Sequence, residues 1–149
     1  LGLEAIVSEQ APYNLLERQL EREVVPLATR YGIGILAYAP VAGGLLTGKY
    51  ERGQPPPPGS RGDQNRAWIP GITERQWDAI DKVKEIAIGL GATPGQVSLA
   101  WVLASGGITS AIVGPHTLDQ LAENLGALDV RLDTETMETL SAMLPPAQP

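Results

Sequence analysis

The apolar positions of the first third of the chain predict a strand, a helix and a second strand. Residues 5–7 (Ala-Ile-Val) predict a short buried strand that ends at the polar residues 8–10. Over residues 18–31 apolar side chains recur at helical spacing, and Gly32 is typical of a residue that ends a helix. Residues 33–38 are continuously apolar and too short for a helix, which predicts a parallel strand covered on both faces.

Three helix starts in the second half of the chain share one chemistry, a threonine cap followed three residues later by glutamine. The pairs are Thr73 with Gln76, Thr93 with Gln96, and Thr117 with Gln120. Each helix carries an apolar stripe that needs a sheet or another helix to cover it. The stripes are Trp77, Ile80, Val83, Ala87 and Leu90; Val97, Ala100, Trp101 and Ala104; and Leu121, Leu125 and Leu128. Residues 108–113 predict a third strand, and Asp133 predicts the cap of a last helix with Met137, Leu140 and Leu144.

The segment 41–73 shows no sustained period and contains the proline run 55–58. A loop longer than about 15 residues inside a compact domain is usually functional or disordered. We therefore interpret 41–73 as a long loop and a candidate lid, with a floppy insertion as the alternative. The proline-rich end, 145–149, is predicted to be a disordered tail.

The order of these elements is an alternating α/β pattern with parallel strands. Three strands cannot close a barrel, since a barrel of this type needs about eight. We therefore expect residues 1–149 to form a single partial domain, completed by residues outside this chain or by assembly. The start at Leu1, without an initiator methionine, favours the same interpretation.

Composition limits the classes of partner. No apolar run approaches the roughly 20 residues of a membrane helix, so a membrane protein is not expected. The net charge is -6 and the 11 basic residues are spread singly, which argues against nucleic acid. The absence of cysteine and of a signal peptide favours the cytoplasm. With one histidine and no cysteine, neither a multi-histidine or thiolate metal site nor a catalytic Ser-His-Asp set is expected.

Candidate binding residues follow the first two predicted strands. Gln10 is placed at the carboxyl end of the first, where α/β folds bind ligands, and its amide suits a neutral carboxamide. Tyr38 ends the second, and its ring could stack on an aromatic cofactor beside glycines that let backbone approach a pyrophosphate. Lys49 and Arg61 are cations placed to meet phosphates. The alternatives are a glutamine that satisfies the neighbouring turn, a core or rim tyrosine, and solvated cations.

A second group of candidates surrounds the start of the third capped helix. His116 precedes the cap Thr117, and the N–H groups and dipole of the helix that follows attract anions. Gln120, Glu123 and Asn124 share one face of this helix at spacings of three and four. The alternative is a solvated surface.

Four segments together resemble the C-terminal part of the aldo-keto reductase superfamily. They are residues 8–18 (SEQAPYNLLER), 38–50 (YAPVAGGLLTGKY), 96–103 (QVSLAWVL) and 112–124 (IVGPHTLDQLAEN). The resemblance covers nearly the whole chain and is nearest to bacterial reductases related to the potassium-channel β-subunits. It implies a (β/α)8 TIM barrel that binds NADPH without a Rossmann motif, of which this chain would supply strands six to eight and the last helices.

The resemblance also implies a role for each candidate. Gln10 would bond the carboxamide of the nicotinamide, and Tyr38 would stack on its ring. The pyrophosphate would be lined by Ala39, Pro40, Val41 and Gly43, with Lys49 and Arg61 reaching over it. The 2′-phosphate would be surrounded by Gly114, His116 and Gln120, and adenine would be held by Glu123 and Asn124.

Two departures from the family pattern change these expectations. Ala39 stands where serine is common, which leaves only a backbone role toward phosphate. His116 stands where arginine or serine is often found, and a neutral histidine gives a weaker preference for NADPH over NADH. NADP remains the expected cofactor.

The function that the resemblance implies is hydride transfer from NADPH to a carbonyl carbon. The family's catalytic Asp, Tyr, Lys and His belong to its first four strands, so this chain carries no catalytic residue and we expect catalysis only from the complete protein. Tyr13, Tyr31 and Tyr50 are not placed beside a matching Lys and Asp. The alternative is a non-catalytic, NADP-binding regulatory subunit similar to the channel β-subunits.

The expected partners are a small carbonyl substrate and either the missing N-terminal half of the barrel or a second copy of the chain. Trp68, in the long loop, is a candidate wall of the substrate pocket. A half-barrel that assembles only with itself is a weaker alternative, since two copies give six strands and leave unpaired edges.

Overall fold

The computed structural model describes residues 4–65 and 69–146, so Trp68 and residues 147–149 of the expected tail lie outside the described residues. Three parallel strands form one sheet in the order β1 (Ser8–Pro12), β2 (Gly34–Tyr38) and β3 (Ser110–Ile112). The helices are α1 (Val24–Tyr31), α2 (Arg61–Gln64), α3 (Glu74–Leu90), α4 (Pro94–Ala104), α5 (Leu118–Gly126) and α6 (Thr134–Met143). Short 3₁₀ segments occupy Gln19–Glu21, Ala42–Thr47, Ile69–Gly71 and Ala127–Asp129. The predicted α/β class with parallel strands is confirmed, and closure into a barrel stays a prediction.

The described residues cover only one face of the sheet. Paired residues of parallel strands share a face, and side chains alternate between faces along each strand. On the covered face, Ile35 and Ala37 are fully buried. The opposite face, called the open face below, carries two rows, Gln10, Leu36 and Ser110, then Pro12, Tyr38 and Ile112. Within the described residues β2 is thus covered on one face, and its cover on both faces stays a prediction.

The first strand begins later than its apolar residues predict. Residues 5–7 lie outside the strand, and the side chains of Ile6 and Val7 are 72% and 76% exposed. Pairing with β2 starts where Ser8 lies opposite Gly34, and the Val7 carbonyl accepts the Gly34 N–H (2.9 Å) just before it. Gln10 is consequently in the middle of β1 and not at its carboxyl end.

The first predicted helix is divided into two pieces. The 3₁₀ segment Gln19–Glu21 precedes α1, which begins only at Val24. Pro26 explains the division, since it has no N–H for the carbonyl of Arg22 and its ring would clash there if the helix ran on from residue 18. The end is as predicted, because Gly32 lies in the left-handed region (φ 67°) and its N–H bonds the carbonyls of Ala28 and Thr29.

The segment 41–73 is only partly a loop. Its first part belongs to the core, where Leu45, Leu46 and Tyr50 are 4%, 1% and 1% exposed. The Tyr50 hydroxyl accepts the N–H of Gly62 (3.1 Å), which ties α2 to this core. A floppy insertion is therefore wrong for residues 42–50 and α2, and the role as a lid stays a prediction.

The three predicted threonine caps are all present, and two of them form complete capping boxes. At α3 the Thr73 hydroxyl accepts the N–H of Gln76 (3.2 Å) and the Gln76 side chain accepts the N–H of Thr73 (2.9 Å), and α4 repeats this at Thr93 and Gln96. Asp133 caps α6 through the N–H of Thr136 (2.8 Å).

The apolar stripes behind these caps differ in their burial. Trp77, Ile80, Val83 and Ala87 of α3 are buried, as are Val97, Ala100 and Trp101 of α4. Leu121, Leu125 and Leu128 are 38%, 55% and 58% exposed, so the third stripe lacks cover within the described residues. No helix of this part of the chain is by itself long and apolar enough to span a membrane; only α3 with α4 reaches that composition, as a pair bent by 97°.

A buried aromatic and charged cluster joins the segment after β1 to α4. The rings of Tyr13 and Trp101 stack at 5.4 Å, and the Arg18 guanidinium lies 5.2 Å from the Trp101 ring centre. Arg18 bonds both carboxylate oxygens of Glu21 (2.7 and 2.8 Å), and the Tyr13 hydroxyl donates to the same carboxylate (2.7 Å). Because Arg18 is only 9% exposed, this pairing is needed to satisfy its charge.

The same cluster anchors the end of α6. Arg18 donates to the backbone carbonyls of Ser141 and Leu144, and the Trp101 indole N–H donates to the Ser141 hydroxyl (3.1 Å). Residues near the beginning, the middle and the end of the described chain are thus fixed to one another.

We expect Tyr13→Phe to change how stability depends on pH. Burial, and secondarily the Glu21 carboxylate, raises the pKa of Tyr13 above its ordinary value. The unfolded chain therefore loses this proton near pH 10 while the folded protein keeps it, so wild-type stability falls as the pH rises further. At pH 8 the variant should be less stable by about 1–2 kcal/mol, through the lost hydrogen bond.

Urea denaturation of both proteins from pH 8 to about pH 11 measures this difference. The stability gap should narrow above about pH 10, since the variant has no Tyr13 proton to lose. A gap that stays constant across the range would contradict the assigned burial effect.

Candidate functional site

Gln10 and Tyr38 lie on the open face of neighbouring strands. Gln10 is directly opposite Leu36, so Tyr38 belongs to the adjacent row of the same face. The Gln10 side chain is exposed and makes no hydrogen bond to another residue in 4–65 or 69–146, so a role in satisfying the neighbouring turn finds no support. The Tyr38 side chain is 41% exposed at the end of β2. An amide and an aromatic ring are thus available side by side to a flat polar ligand.

The backbone turns sharply after Tyr38 and contains two strained residues. Ala39 and Ala42 have φ values of 51° and 50°, in the left-handed region that residues other than glycine rarely adopt. The Ala42 N–H bonds the Ala39 carbonyl (2.8 Å), and the Gly44 N–H bonds the Val41 carbonyl (2.9 Å). Such strain clusters at binding and catalytic sites, where the surrounding structure holds it in place. The sequence indicates flexibility here through Gly43 and Gly44, but not the strain at the alanines.

Lys49 lies against this turn. A Cβ atom added at Gly44 (φ 103°) would be 2.8 Å from the Lys49 Nζ, so only glycine leaves room for the ammonium group. The Nζ is also 5.4 Å from the centre of the Tyr50 ring. Lys49 is therefore an exposed cation held beside the backbone turn, as its assignment to a phosphate requires. Arg61 is exposed at the start of α2, and its reach over the turn stays a prediction.

The second group of candidates follows β3. Gly114 and His116 lie between the strand and α5, both exposed, and a Cβ atom at Gly114 would meet nothing within 4 Å. The Thr117 hydroxyl accepts the Gln120 N–H (3.2 Å), but the Gln120 side chain accepts the N–H of His116 (2.7 Å) and not that of its own cap. The amide oxygen of Gln120 is thus committed to the backbone, and its NH₂ group faces solvent.

The N-terminus of α4 connects the two groups. The Thr93 hydroxyl donates to the Glu123 carboxylate (2.8 Å), and the Gln96 amide donates to the Glu123 carbonyl (3.1 Å). A Cβ atom at Gly95 would be 3.5 Å from Glu123 Oε1 and 3.8 Å from Thr47 Cγ2. The start of α4 therefore lies between the end of the turn after β2 and α5.

Sequence reasoning missed this connection. The capping box of α4 is visible in the sequence, but nothing in it indicates that the cap hydroxyl of Thr93 also holds Glu123. One oxygen of Glu123 is consequently engaged within the protein, while Asn124 beside it is half-buried. Roles of Glu123 and Asn124 toward adenine stay predictions.

Three of the four tyrosines, Tyr13, Tyr31 and Tyr50, lie away from the open face or are engaged in the core. Tyr13 is buried, and burial raises its pKa above the ordinary value, which opposes release of a proton near neutral pH. Tyr31 is 65% exposed on α1, and the Tyr50 hydroxyl accepts a backbone N–H in the core. The open face thus presents groups suited to holding a ligand.

Comparison with known proteins places this α/β chain in a family. The model of the aldo/keto reductase family matches residues 3–145. The chain is 36% identical over 140 residues to the oxidoreductase YrpG of Bacillus subtilis, covering 94% of the chain and 41% of that protein. It therefore belongs to the aldo/keto reductase family.

Two further relatives are proteins assigned as voltage-gated potassium channel subunit beta. The one from Schizosaccharomyces pombe is 35% identical over 145 residues, covering 93% of the chain and 41% of the relative. The one from Oryza sativa subsp. japonica is 32% identical over 149 residues, with coverages of 97% and 45%. The chain spans 41 to 45% of the length of these three relatives.

We expect Gly44→Ala to destabilise the protein more than Gly53→Ala does. Both glycines have positive φ, 103° at Gly44 and 74° at Gly53, so both substitutions introduce backbone strain, and more of it at Gly44, which lies farther from the left-handed well. Gly53 has nothing within 4 Å of the added Cβ, whereas the new methyl at residue 44 displaces Lys49 from the turn and from the Tyr50 ring. The lost contact of Lys49 should contribute about 0.5–1 kcal/mol of the excess.

Urea denaturation gives the free energies of unfolding for this comparison. In a Lys49→Ala background the excess should fall by this amount, because the displaced group is gone and only the difference in backbone strain remains. An excess that is unchanged there would show that the contact with Lys49 does not contribute to it.

Proposed function

We propose that this chain contributes the NADPH-binding part of an aldo-keto reductase that transfers a hydride to the carbonyl carbon of a small substrate. The observation that carries the proposal is the placement of Gln10 and Tyr38 in adjacent rows of the open face, beside a strained backbone turn, in a chain of this family. The catalytic Asp, Tyr, Lys and His, and the remaining strands of the barrel, would come from residues outside this chain.

The residues of the open face fit the nicotinamide end of the cofactor. When bound, NADPH would supply the hydride. Gln10 has an exposed amide without a partner in the described chain, which can donate to and accept from a carboxamide. The half-exposed ring of Tyr38 would cover one side of the nicotinamide, so that only the other side meets the substrate.

The turn and the start of α5 fit the charged parts of the cofactor. The pyrophosphate would lie along the backbone of Ala39, Pro40, Val41 and Gly43, with the Lys49 ammonium beside it and Arg61 reaching from α2. The 2′-phosphate would meet Gly114, His116 and the free NH₂ group of Gln120. Adenine would contact Asn124 and the carboxylate oxygen of Glu123 that Thr93 does not bond.

The uncovered surfaces suggest the assembly. The outer edges of β1 and β3 would pair with further strands of a (β/α)8 barrel, and the open face would be covered by the rest of that barrel. Unpaired parallel strands are rarely left exposed. A second copy of the chain is the other candidate for this cover. We propose the cytoplasm as the site of action.

A non-catalytic role is the second candidate function. It is favoured by the relatives assigned as channel subunits, which are 32 to 35% identical to this chain. In that role the occupancy of the NADP site would alter a partner protein, and the same residues would bind the cofactor.

We expect Tyr38→Ala to weaken NADPH binding about two- to tenfold, since loss of ring stacking is worth roughly 0.5–1.5 kcal/mol. Tyr31→Ala is the matched control, because Tyr31 is also exposed but lies on α1. Fluorescence titration of the complete natural protein with NADPH measures both affinities. Equal affinities of the two variants would contradict the placement of the nicotinamide on Tyr38.

Consumption of NADPH in the presence of an aromatic aldehyde separates the two functions. Binding with turnover supports the reductase, and binding without turnover favours the regulatory role. Failure of the wild-type protein to bind NADPH would contradict both.

A further inference from the structure

Asn14 is a buried polar residue that the proposed cofactor contacts do not use. It is 2% exposed and lies two residues beyond the end of β1. Its side-chain oxygen accepts the N–H of Leu16 (2.9 Å), and its NH₂ group donates to the carbonyl of Ala39 (3.1 Å). Because Leu16 requires an acceptor and Ala39 a donor, only this orientation of the amide makes both bonds.

The carbonyl of Ala39 belongs to the first strained residue after β2. Its φ of 51° is unfavourable for alanine by about 1–2 kcal/mol, so the conformation persists only if neighbouring groups hold it. Two donors converge on this carbonyl, the Asn14 amide and the N–H of Ala42 (2.8 Å). Asn14 is the one of the two that comes from a distant part of the chain.

The peptide before Ala39 is held from the same side. The N–H of Tyr13 donates to the carbonyl of Tyr38 (3.2 Å), which continues the pairing of β1 and β2 by one residue. Residues 13 and 14 thus fix two successive carbonyls, those of Tyr38 and Ala39. The direction of the Tyr38 side chain and the path of the turn depend on both peptides.

We infer that Asn14 is a positioning residue that clamps the Ala39 peptide in its strained conformation, and so fixes the turn that receives the pyrophosphate and the tyrosine that faces the nicotinamide. This inference rests on the proposed function for its ligand. The clamp itself is a property of the protein without ligand, which allows the two to be tested separately.

The first experiment removes the hydrogen bond from Asn14 to Ala39 and keeps the one from Leu16 to Asn14. Asn14→Asp retains the size of the side chain and the acceptor for Leu16, but sets an acceptor against the Ala39 carbonyl. In the complete natural protein we expect hydrogen exchange of the amides in residues 39–44, all except that of Pro40, to accelerate and the affinity for NADPH to fall roughly tenfold. Val83→Ala, in the core of α3, is the control for a general loss of stability.

The control should lower the unfolding temperature without changing the exchange of residues 39–44 relative to the rest of the protein, and with NADPH affinity within about twofold of wild type. If Asn14→Asp behaves in the same way, the clamp is overturned. If wild-type protein binds no NADPH, the proposed function fails, and the exchange of residues 39–44 still decides whether Asn14 holds the turn.

A second pair of variants tests whether Asn14 acts through Ala39. Glycine adopts positive φ without strain. In an Ala39→Gly background the loss of NADPH affinity caused by Asn14→Asp should therefore shrink to less than about threefold. Equal losses in both backgrounds would overturn the inference. Ala39→Val keeps Asn14 but disfavours positive φ, and it decides the case if Asn14→Asp does not fold: faster exchange of residues 39–44 in protein without NADPH supports the clamp, and unchanged exchange overturns it.

Discussion

The burial of α4 is the constraint on which the rest of the structure depends. Its residues from Val97 to Val102 are all buried, and the helix contacts α3, α5, β3 and the segment Ala42–Thr47. Because these central turns have no solvent face, they constrain the position of each element that packs on them. The α4 residue Trp101 stacks with Tyr13 and contacts Arg18, both from the segment after β1, and donates a hydrogen bond to Ser141 of α6. The two groups of the candidate site are accordingly placed by a helix whose core residues would not touch the ligand.

Much of the fold could be predicted because the signals are local. A threonine cap with its glutamine, or a glycine at the end of a helix, acts within four residues, and Thr73, Thr93 and Gly32 behave as predicted. The start of β1 could not be predicted, since Ile6 and Val7 have strong strand propensity but no packing partner in the described chain. The same reason applies to the third apolar stripe. The burial of a side chain depends on which other elements pack against it, and the sequence of its own segment does not contain that information.

In the candidate site too, the features visible in a short segment could be predicted and the contacts between distant segments could not. Its candidate residues were found by type and order in the chain, and the structure brings Gln10 beside Tyr38 and Lys49 beside Gly44. The bonds that join its parts, from Thr93 to Glu123 and from Asn14 to Ala39, connect positions far apart in sequence. Both donors look like ordinary cap or turn residues in the sequence. Which distant oxygen each one meets is decided only when α4 and the sheet are in place.

The order of the strands also has a consequence for the folding of the chain. The pairing of β1 with β2 closes over α1 alone, whereas β3 joins β2 only after α2, α3 and α4 have intervened. Closure of a longer loop loses more entropy, and distant pairings form more slowly. Thr109 fastens this late junction, since its hydroxyl accepts the Ile35 N–H (3.1 Å) and its own N–H bonds the Ile35 carbonyl (2.9 Å). By this argument β3 is the last of the three strands to join, and a ligand that bridged the ends of β2 and β3 would stabilise the product of that step.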